Sequence, residues 1–161
     1  MERRLFLAGC AALAGCGFEL RKPPDFAFRS IAIPAAGPLA NELRRTIGSA
    51  GAVQVTPRQA PPEQAQVVLD LLNEQREKVV VGLNASGQVR EFQLRSIIRF
   101  RLRTPQGREL IPETELVQQR DISFSESAVL AKEAEESLLY RDMQTDLVQQ
   151  LMRRLAAVKT V

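Results

Sequence analysis

The chain has 161 residues, 45% hydrophobic and 25% charged, with a formal net charge of +3; this is the size and balance of one folded domain rather than of a disordered or collagen-like chain. It has no His, no Trp, one Tyr and two Cys, which removes Ser-His-Asp and Cys-His nucleophilic sites, His-ligated zinc and an aromatic platform for nucleic acid. Carboxylate chemistry alone is left to an enzyme, and no close acid pair stands at a strand end; no catalytic residue, metal, cofactor or nucleic-acid partner is assigned.

The first sixteen residues carry the address. Glu2-Arg3-Arg4 is a short charged region, and Leu5 to Ala14 is an apolar stretch of ten residues, the layout of a secretory signal and too short to span a membrane. Leu13-Ala14-Gly15-Cys16 resembles the bacterial lipobox, in which the Cys is acylated and becomes the mature N-terminus. A second copy, Leu7-Ala8-Gly9-Cys10, would leave an apolar core of only about five residues, below the ~7–15 such a signal needs. The expected division is therefore a lipoprotein signal peptide over 1–15 and a single domain over 16–161, with 16–29 as an extended, acylated lead-in containing Pro23 and Pro24. Cleavage before Cys16 leaves 146 residues with a net charge of +2. Gly17, in place of Asp, implies by resemblance to lipoproteins export to the outer membrane.

The mature chain begins with a short β-like run, Ile31-Ala32-Ile33, ended by Pro34. After Pro38, Leu39, Leu43 and Ile47 recur every four residues, with Asn41, Glu42, Arg44 and Arg45 on the other side, which predicts a short amphipathic helix ending at Gly48 or Gly51. Pro57 to Pro62 reads as a linker. A three-stranded antiparallel meander follows. Val67, Leu69 and Leu71 alternate, and Val79 and Val81 resume the same parity. Asn84-Ala85-Ser86-Gly87 is a turn. Phe92, Leu94, Ser96, Ile98, Phe100 and Leu102 then take every second position, the strongest periodic signal in the chain. Pro105-Gln106-Gly107 is the second turn, and Leu116, Ile122 and Phe124 mark the third strand.

Pairing apolar with apolar residues sets Leu69 opposite Leu102, Leu71 opposite Phe100 and Val79 opposite Phe92. In the second hairpin it sets Phe100 opposite Leu116, Leu94 opposite Ile122 and Phe92 opposite Phe124. The same registers place Asp70 beside Arg101, Arg103 beside Glu113, Arg101 beside Glu115 and Arg95 beside Asp121. A bulge near Pro112 absorbs the surplus length. A final helix, capped by Ser125 or Ser127, runs from about Ala128 to Ala157. Its stripe is Leu139, Met143, Leu147, Leu151 and Leu155, extended by Ala131, Ala134 and Leu138. Glu133, Glu135 and Glu136 lie toward its start, with Arg153, Arg154 and Lys159 at its end, as the helix dipole favours. The expected fold is α/β in the two-layer α+β sense: a mostly antiparallel sheet of about four strands with two helices on one face.

Several stretches resemble the LptE family of lipopolysaccharide-assembly lipoproteins. They are Gly15-Cys16-Gly17-Phe18-x-Leu20-Arg21, Asn84-x-x-Gly87-x-x-x-Glu91-Phe92-x-Leu94, Arg120-x-Ile122-x-Phe124, Leu130-Ala131-Lys132-Glu133-x-Glu135, Met143-x-x-Asp146 and Gln150-Leu151-x-Arg153-Arg154-Leu155. They span almost the whole mature chain in family order. The resemblance implies a sheet carrying two helices, a place inside the outer-membrane β-barrel LptD, which such a lipoprotein plugs and helps to assemble, and engagement of lipopolysaccharide on its way to the cell surface. It also implies a membrane attachment through N-terminal acyl chains on the periplasmic side and no enzymatic activity.

Arg90, Arg95, Arg99, Arg101, Arg103 and Arg108 crowd one strand and its turns, with Glu91 as the only acid among them. Such a face suits lipid phosphates; it equally suits a solvated sheet face whose arginines pair with Glu113, Glu115 and Asp121, and the pairing is the reading preferred for the middle of the strand. Arg90, at the hairpin end, and Lys132, in the family-like stretch of the last helix, are the candidate ligands for lipopolysaccharide phosphates. Cys16 is the candidate lipid-attachment residue. Phe18 and Leu20 are placed to touch membrane, barrel or their own domain. The alternative function is an outer-membrane-anchored periplasmic lipoprotein that binds another protein or a cell-wall partner through the basic sheet face.

Overall fold

The computed structural model describes residues 25–161. Cys10, Cys16, Phe18 and Leu20 lie outside the described residues. The elements are β1 (Ser30–Ala32), α1 (Pro38–Ser49), β2 (Gln54–Val55), β3 (Val67–Leu83), β4 (Val89–Arg103), β5 (Glu109–Ser123) and α2 (Val129–Ala156). They form a two-layer α+β fold. The sheet has five strands in the order β2-β1-β3-β4-β5, one more than the apolar pattern signals. It is mixed: β1 runs parallel to both β2 and β3, and only the meander is antiparallel. β2 is two residues long, too short to leave a period in the sequence.

Both helices pack on one face. α1 starts at Pro38, whose missing N–H is not needed in a first turn, and buries Leu39, Ala40, Leu43 and Ile47. The C-terminal half of α2 contributes Leu147, Val148, Leu151, Met152 and Leu155 to the same core, against Leu69, Ile98, Phe100, Leu102 and Leu116 of the sheet. The polar side of α1 is not all solvent-facing. Arg44 donates to the carbonyl of Ile33 at 2.6 Å and to that of Ala35, fixing the exit from β1. Glu42 accepts hydrogen bonds from Gln144 and Thr145 of α2. No helix among the described residues is long and apolar enough to cross a membrane.

Two tight turns define the meander. In each, the fourth residue is a glycine with positive φ, Gly87 at 78° and Gly107 at 96°, a conformation that glycine adopts without steric cost. Asn84 fastens the first turn, its Oδ1 accepting from the backbone of Ser86 and Gln88. Thr104 Oγ1 accepts from Arg108 N in the second.

The registers depart from the sequence reading in two instructive ways. Leu69 faces Leu102, Asp70 faces Arg101 and Leu71 faces Phe100, as expected. A shift between Leu71 and Asn73 then moves the pairing by one residue, so that Val80, not Val79, faces Phe92, and Val79 faces Gln93. Val79 therefore leaves the parity of Val67 and Leu69 and stands on the face away from the helices, 42% exposed. In the second hairpin Ile98 faces Leu116, Phe92 faces Ile122 and Arg99 faces Glu115. That register is displaced by two residues from the expected one. A two-residue slip keeps every side chain on its face, so the apolar pattern cannot distinguish the two; the tight turn at Gly107 decides. The irregularity expected near Pro112 is present, between the pairs Leu102–Ile111 and Phe100–Thr114.

α2 runs from Val129, one residue from the expected start, and neither Ser125 nor Ser127 caps it; Ala128 holds the N-cap position, and the turn Glu126–Ala128 leads in. The apolar stripe is buried from Met143 to Leu155, and Leu139 is half-buried. Its expected extension through Ala131, Ala134 and Leu138 is exposed instead.

Candidate functional site

The sheet face turned away from the helices carries the arginines. Four of them are paired with three carboxylates. Arg101 and Arg103 both donate to Asp70 Oδ2, at 2.9 and 2.8 Å, Arg99 pairs with Glu115 at 2.9 Å, and Arg95 approaches Glu77 at 4.0 Å. Glu113 and Asp121 are not their partners: the two-residue displacement takes Glu113 away from Arg103, and Asp121 binds Gln93. Burial opposes ionisation of Asp70, but the hydrogen bonds from Arg103 and Arg101 and their charges outweigh it and hold the carboxyl below its ordinary value. A depressed carboxyl adds stability that is present at neutral pH and lost as pH falls through the folded-state value. Asp70→Asn is thus expected to lower the urea midpoint at pH 7 and to lower it less at pH 2, which lies below the ordinary Asp value of about 3.9. Equal losses at both pH values would show that the effect comes from packing rather than charge.

Arg90 and Arg108, at opposite ends of this run, are in no ion pair among the described residues. Arg90 is exposed, and its carbonyl accepts the Phe124 N–H at 2.7 Å. Lys132 Nζ donates to Ser123 Oγ at 2.9 Å and to Glu135 at 2.8 Å. The adjacent residues Ser123 and Phe124 thus bring Arg90 and Lys132 to the same end of the sheet. A cleft of about 230 Å³, lined by Gln88, Val89, Arg90, Ser125, Glu126 and Ser127, opens there.

The sequence reading missed a third cation at this end. Lys78, displaced to the helix side of the sheet by the bulge in β3, stands 4.4 Å over the Phe92 ring and pairs with Glu136 at 2.6 Å. Phe92 meets Phe124 edge-on at 5.4 Å. A basic residue directly before the three valines Val79 to Val81 was the only signal available for Lys78. Two acids of the α2 cluster are engaged in these ion pairs, Glu135 with Lys132 and Glu136 with Lys78.

The packing below this end is thin. Leu94, Ile122 and Met143 form a small cluster, flanked by Phe92, Leu139 and Tyr140, separate from the main core. Between the two clusters lie polar contacts: Arg76 on the Tyr140 ring, Arg120 with Asp146, and the Tyr140 hydroxyl donating to the Glu77 carbonyl at 2.8 Å. Burial, then Glu136, raises the Tyr140 phenol above its ordinary value, which keeps it protonated as that donor. Beyond the small cluster, Leu83, Leu130 and Leu138 are 61%, 82% and 54% exposed. Apolar side chains beside cations form a surface suited to an anionic amphiphile.

A two-layer domain of this kind, with both helices on one face of a long meander, is the fold of small bacterial lipoproteins. The solution structure of lipoprotein B from Nitrosomonas europaea is 33% identical, with 88% of this chain and 91% of that one covered and a TM-score of 0.75. The crystal structures of rare lipoprotein B from Shewanella oneidensis (20% identity, 80% and 95% covered, TM-score 0.65) and of a minor lipoprotein from Acinetobacter baumannii (23%, 84% and 94%, 0.61) share the fold. No curated relative matches the sequence. The family described as LptE, lipopolysaccharide-assembly, matches residues 28–155, and the chain belongs to that family.

Proposed function

We propose that the chain is a non-catalytic outer-membrane lipoprotein, acylated at Cys16 after removal of residues 1–15, whose single domain sits inside the LptD β-barrel and engages lipopolysaccharide at the Arg90 and Lys132 end. The observation that carries this reading is the clustering of Arg90, Lys132 and Lys78 with the exposed Leu83, Leu130 and Leu138 at one end of a domain of the LptE family. Lipopolysaccharide presents phosphates beside acyl chains, so a protein that handles it needs cations next to apolar surface and no reacting group. The Arg90 fork is available to a phosphate. Lys132 would exchange Glu135 for the same phosphate while keeping Ser123. The exposed apolar residues serve the acyl chains or the barrel wall, both of which would cover them.

Reversing both charges, Arg90→Glu with Lys132→Glu, is expected to weaken capture of lipopolysaccharide by about 30- to 150-fold, as for two hydrogen bonds to charged groups that each contribute roughly 1–1.5 kcal/mol when partly exposed. Fold and barrel association should survive. Capture on immobilised lipopolysaccharide at two salt concentrations checks it. Arg101→Glu serves as control and should lower stability, because it breaks the Asp70 pair, while leaving capture intact. Unchanged capture by the double variant at low salt, where screening is least, would remove Arg90 and Lys132 from the site.

A further inference from the structure

We propose that the end of the molecule opposite Arg90 carries a separate site that seats the phosphoethanolamine headgroup of a membrane lipid. Arg108, just after the turn that follows β4, is with Arg90 one of the two arginines of the run that pair with no carboxylate among the described residues, and the functional reading above leaves it unused. It stands on the rim of a cleft of about 700 Å³ lined also by Ala27, Glu63, Gln66, Thr104 and Lys159. That volume is in the range of small-ligand sites, about 300–1,000 Å³.

The cleft is assembled from segments far apart in sequence, and its walls are fixed. The turn that presents Arg108 is closed by Thr104 N to Arg108 O at 2.8 Å, Gly107 N to Thr104 O at 2.9 Å and Arg108 N to Thr104 Oγ1 at 3.2 Å. Thr104 and Ala65 are buried and form the floor. Gln66 is pinned on both sides, accepting from Arg29 N at 2.6 Å and donating its own N–H to Ser30 Oγ at 2.9 Å. Lys159 reaches the cleft from the residues after α2 and, like Arg108, is in no ion pair among the described residues.

The charge pattern selects the ligand class. Two cations suit one phosphate, with the Arg108 fork taking two of its oxygens. Glu63 in the same cleft would repel a simple anion but accepts a hydrogen bond from a primary ammonium. A zwitterion with a phosphate and an ammonium a few ångströms apart satisfies all three side chains.

The position selects the source. Ala27 is eleven residues from Cys16, at most about 40 Å of extended chain. β4, of fifteen residues, carries Arg90 about 50 Å further away at ~3.4 Å per residue. A lipid anchor on Cys16 therefore keeps this cleft within about 40 Å of the headgroup layer, nearer along the chain than the Arg90 end. Tethering raises the effective headgroup concentration enough for a weak site to be occupied. The choice of a lipid source rests on the proposed anchor; the site itself does not.

The test uses the full chain in nonionic detergent, both acylated and as the unanchored Cys16→Ala variant, titrated with glycerophosphoethanolamine, glycerophosphocholine and inorganic phosphate while backbone amide signals are followed. Glycerophosphoethanolamine is expected to shift Gly107, Arg108 and Lys159 in both forms. Glycerophosphocholine should bind about tenfold more weakly, since its quaternary ammonium offers Glu63 no N–H. Arg108→Gln with Lys159→Gln should abolish binding, and Glu63→Gln should make the two headgroups equal. On bicelles, the acylated chain should show the same shifts when phosphatidylethanolamine is present and not with phosphatidylcholine alone, because the tether supplies the local headgroup concentration. No shift at these amides, or phosphate binding as tightly as the ethanolamine ester, would overturn the headgroup site. Binding of the soluble ester without shifts of the acylated chain on phosphatidylethanolamine bicelles would overturn the lipid as its source. Binding that persists in Cys16→Ala while anchoring is lost separates the site from the anchor.

Discussion

Replacing Cys16 by Ala is expected to abolish acylation completely and to leave the precursor uncleaved, the largest single effect foreseen for this chain. Signal and acceptor coincide at this residue, so no partial phenotype is available. Each buried CH₂ contributes about 0.8 kcal/mol to membrane attachment, and one acyl chain alone gives only marginal binding; a lasting anchor needs the two or three chains that a lipidated N-terminal Cys carries. Without them the chain should be lost from the outer-membrane fraction. Labelling with radioactive palmitate checks it. Undiminished label on Cys16→Ala would reject the assignment, and loss of label only in Cys10→Ala would move it to Cys10.

The second large effect is on stability. Leu147 and Leu151 are 1% and 0% exposed, within the core that joins α2 to α1 and the sheet. Leu→Ala at such positions typically costs about 2–5 kcal/mol, the transfer term plus a cavity that neighbours only partly refill. Leu138, on the same helix but 54% exposed, should cost within about 0.5 kcal/mol when truncated. Thermal melts of the three variants, made in a chain lacking the first sixteen residues, compare them directly. Equal effects at Leu138 and Leu151 would mean that the stripe is buried along its whole length. No effect at Leu147 or Leu151 would mean that it faces a partner instead of the core.

This contrast along α2 shows where sequence and structure part. The four-residue spacing from Leu139 to Leu155 identifies the helix and its buried side. The same spacing continues through Leu138, Ala134 and Ala131 into a half with little apolar packing beneath it, because Arg76, Lys78 and Arg120 share the helix-facing side of the sheet there. Two bulges explain most of the remaining differences. Alternation predicts faces well until an inserted residue inverts it, and the inversion after Leu71 is what turns Val79 outward and Lys78 toward α2. β1 and β2 are parallel neighbours of only three and two residues, so the mixed character of the sheet is set by α1 crossing between them and not by any pattern inside them.

The site was legible in parts. Arg90 and Lys132 lie forty-two residues apart in the sequence, and the meander brings them to one end because Ser123 and Phe124 contact one residue each. The pairing of Arg101 with Asp70 followed from matching Leu69 with Leu102 and Leu71 with Phe100 on either side of it, although it lies at the end of the β3–β4 hairpin far from the connecting turn. Lys78 and the exposure of Leu130 and Leu83 required three dimensions, since each depends on what fails to pack above it.

The central claim is that this domain works inside a β-barrel and not as a free lipoprotein. Extraction of the native outer membrane in mild nonionic detergent, followed by size measurement of the complex that carries this chain, addresses it most directly. The account predicts that the chain leaves the membrane with a large β-barrel protein and migrates far above the size of the chain alone. Recovery of the chain alone, at the size of one lipoprotein in a detergent micelle, would contradict it.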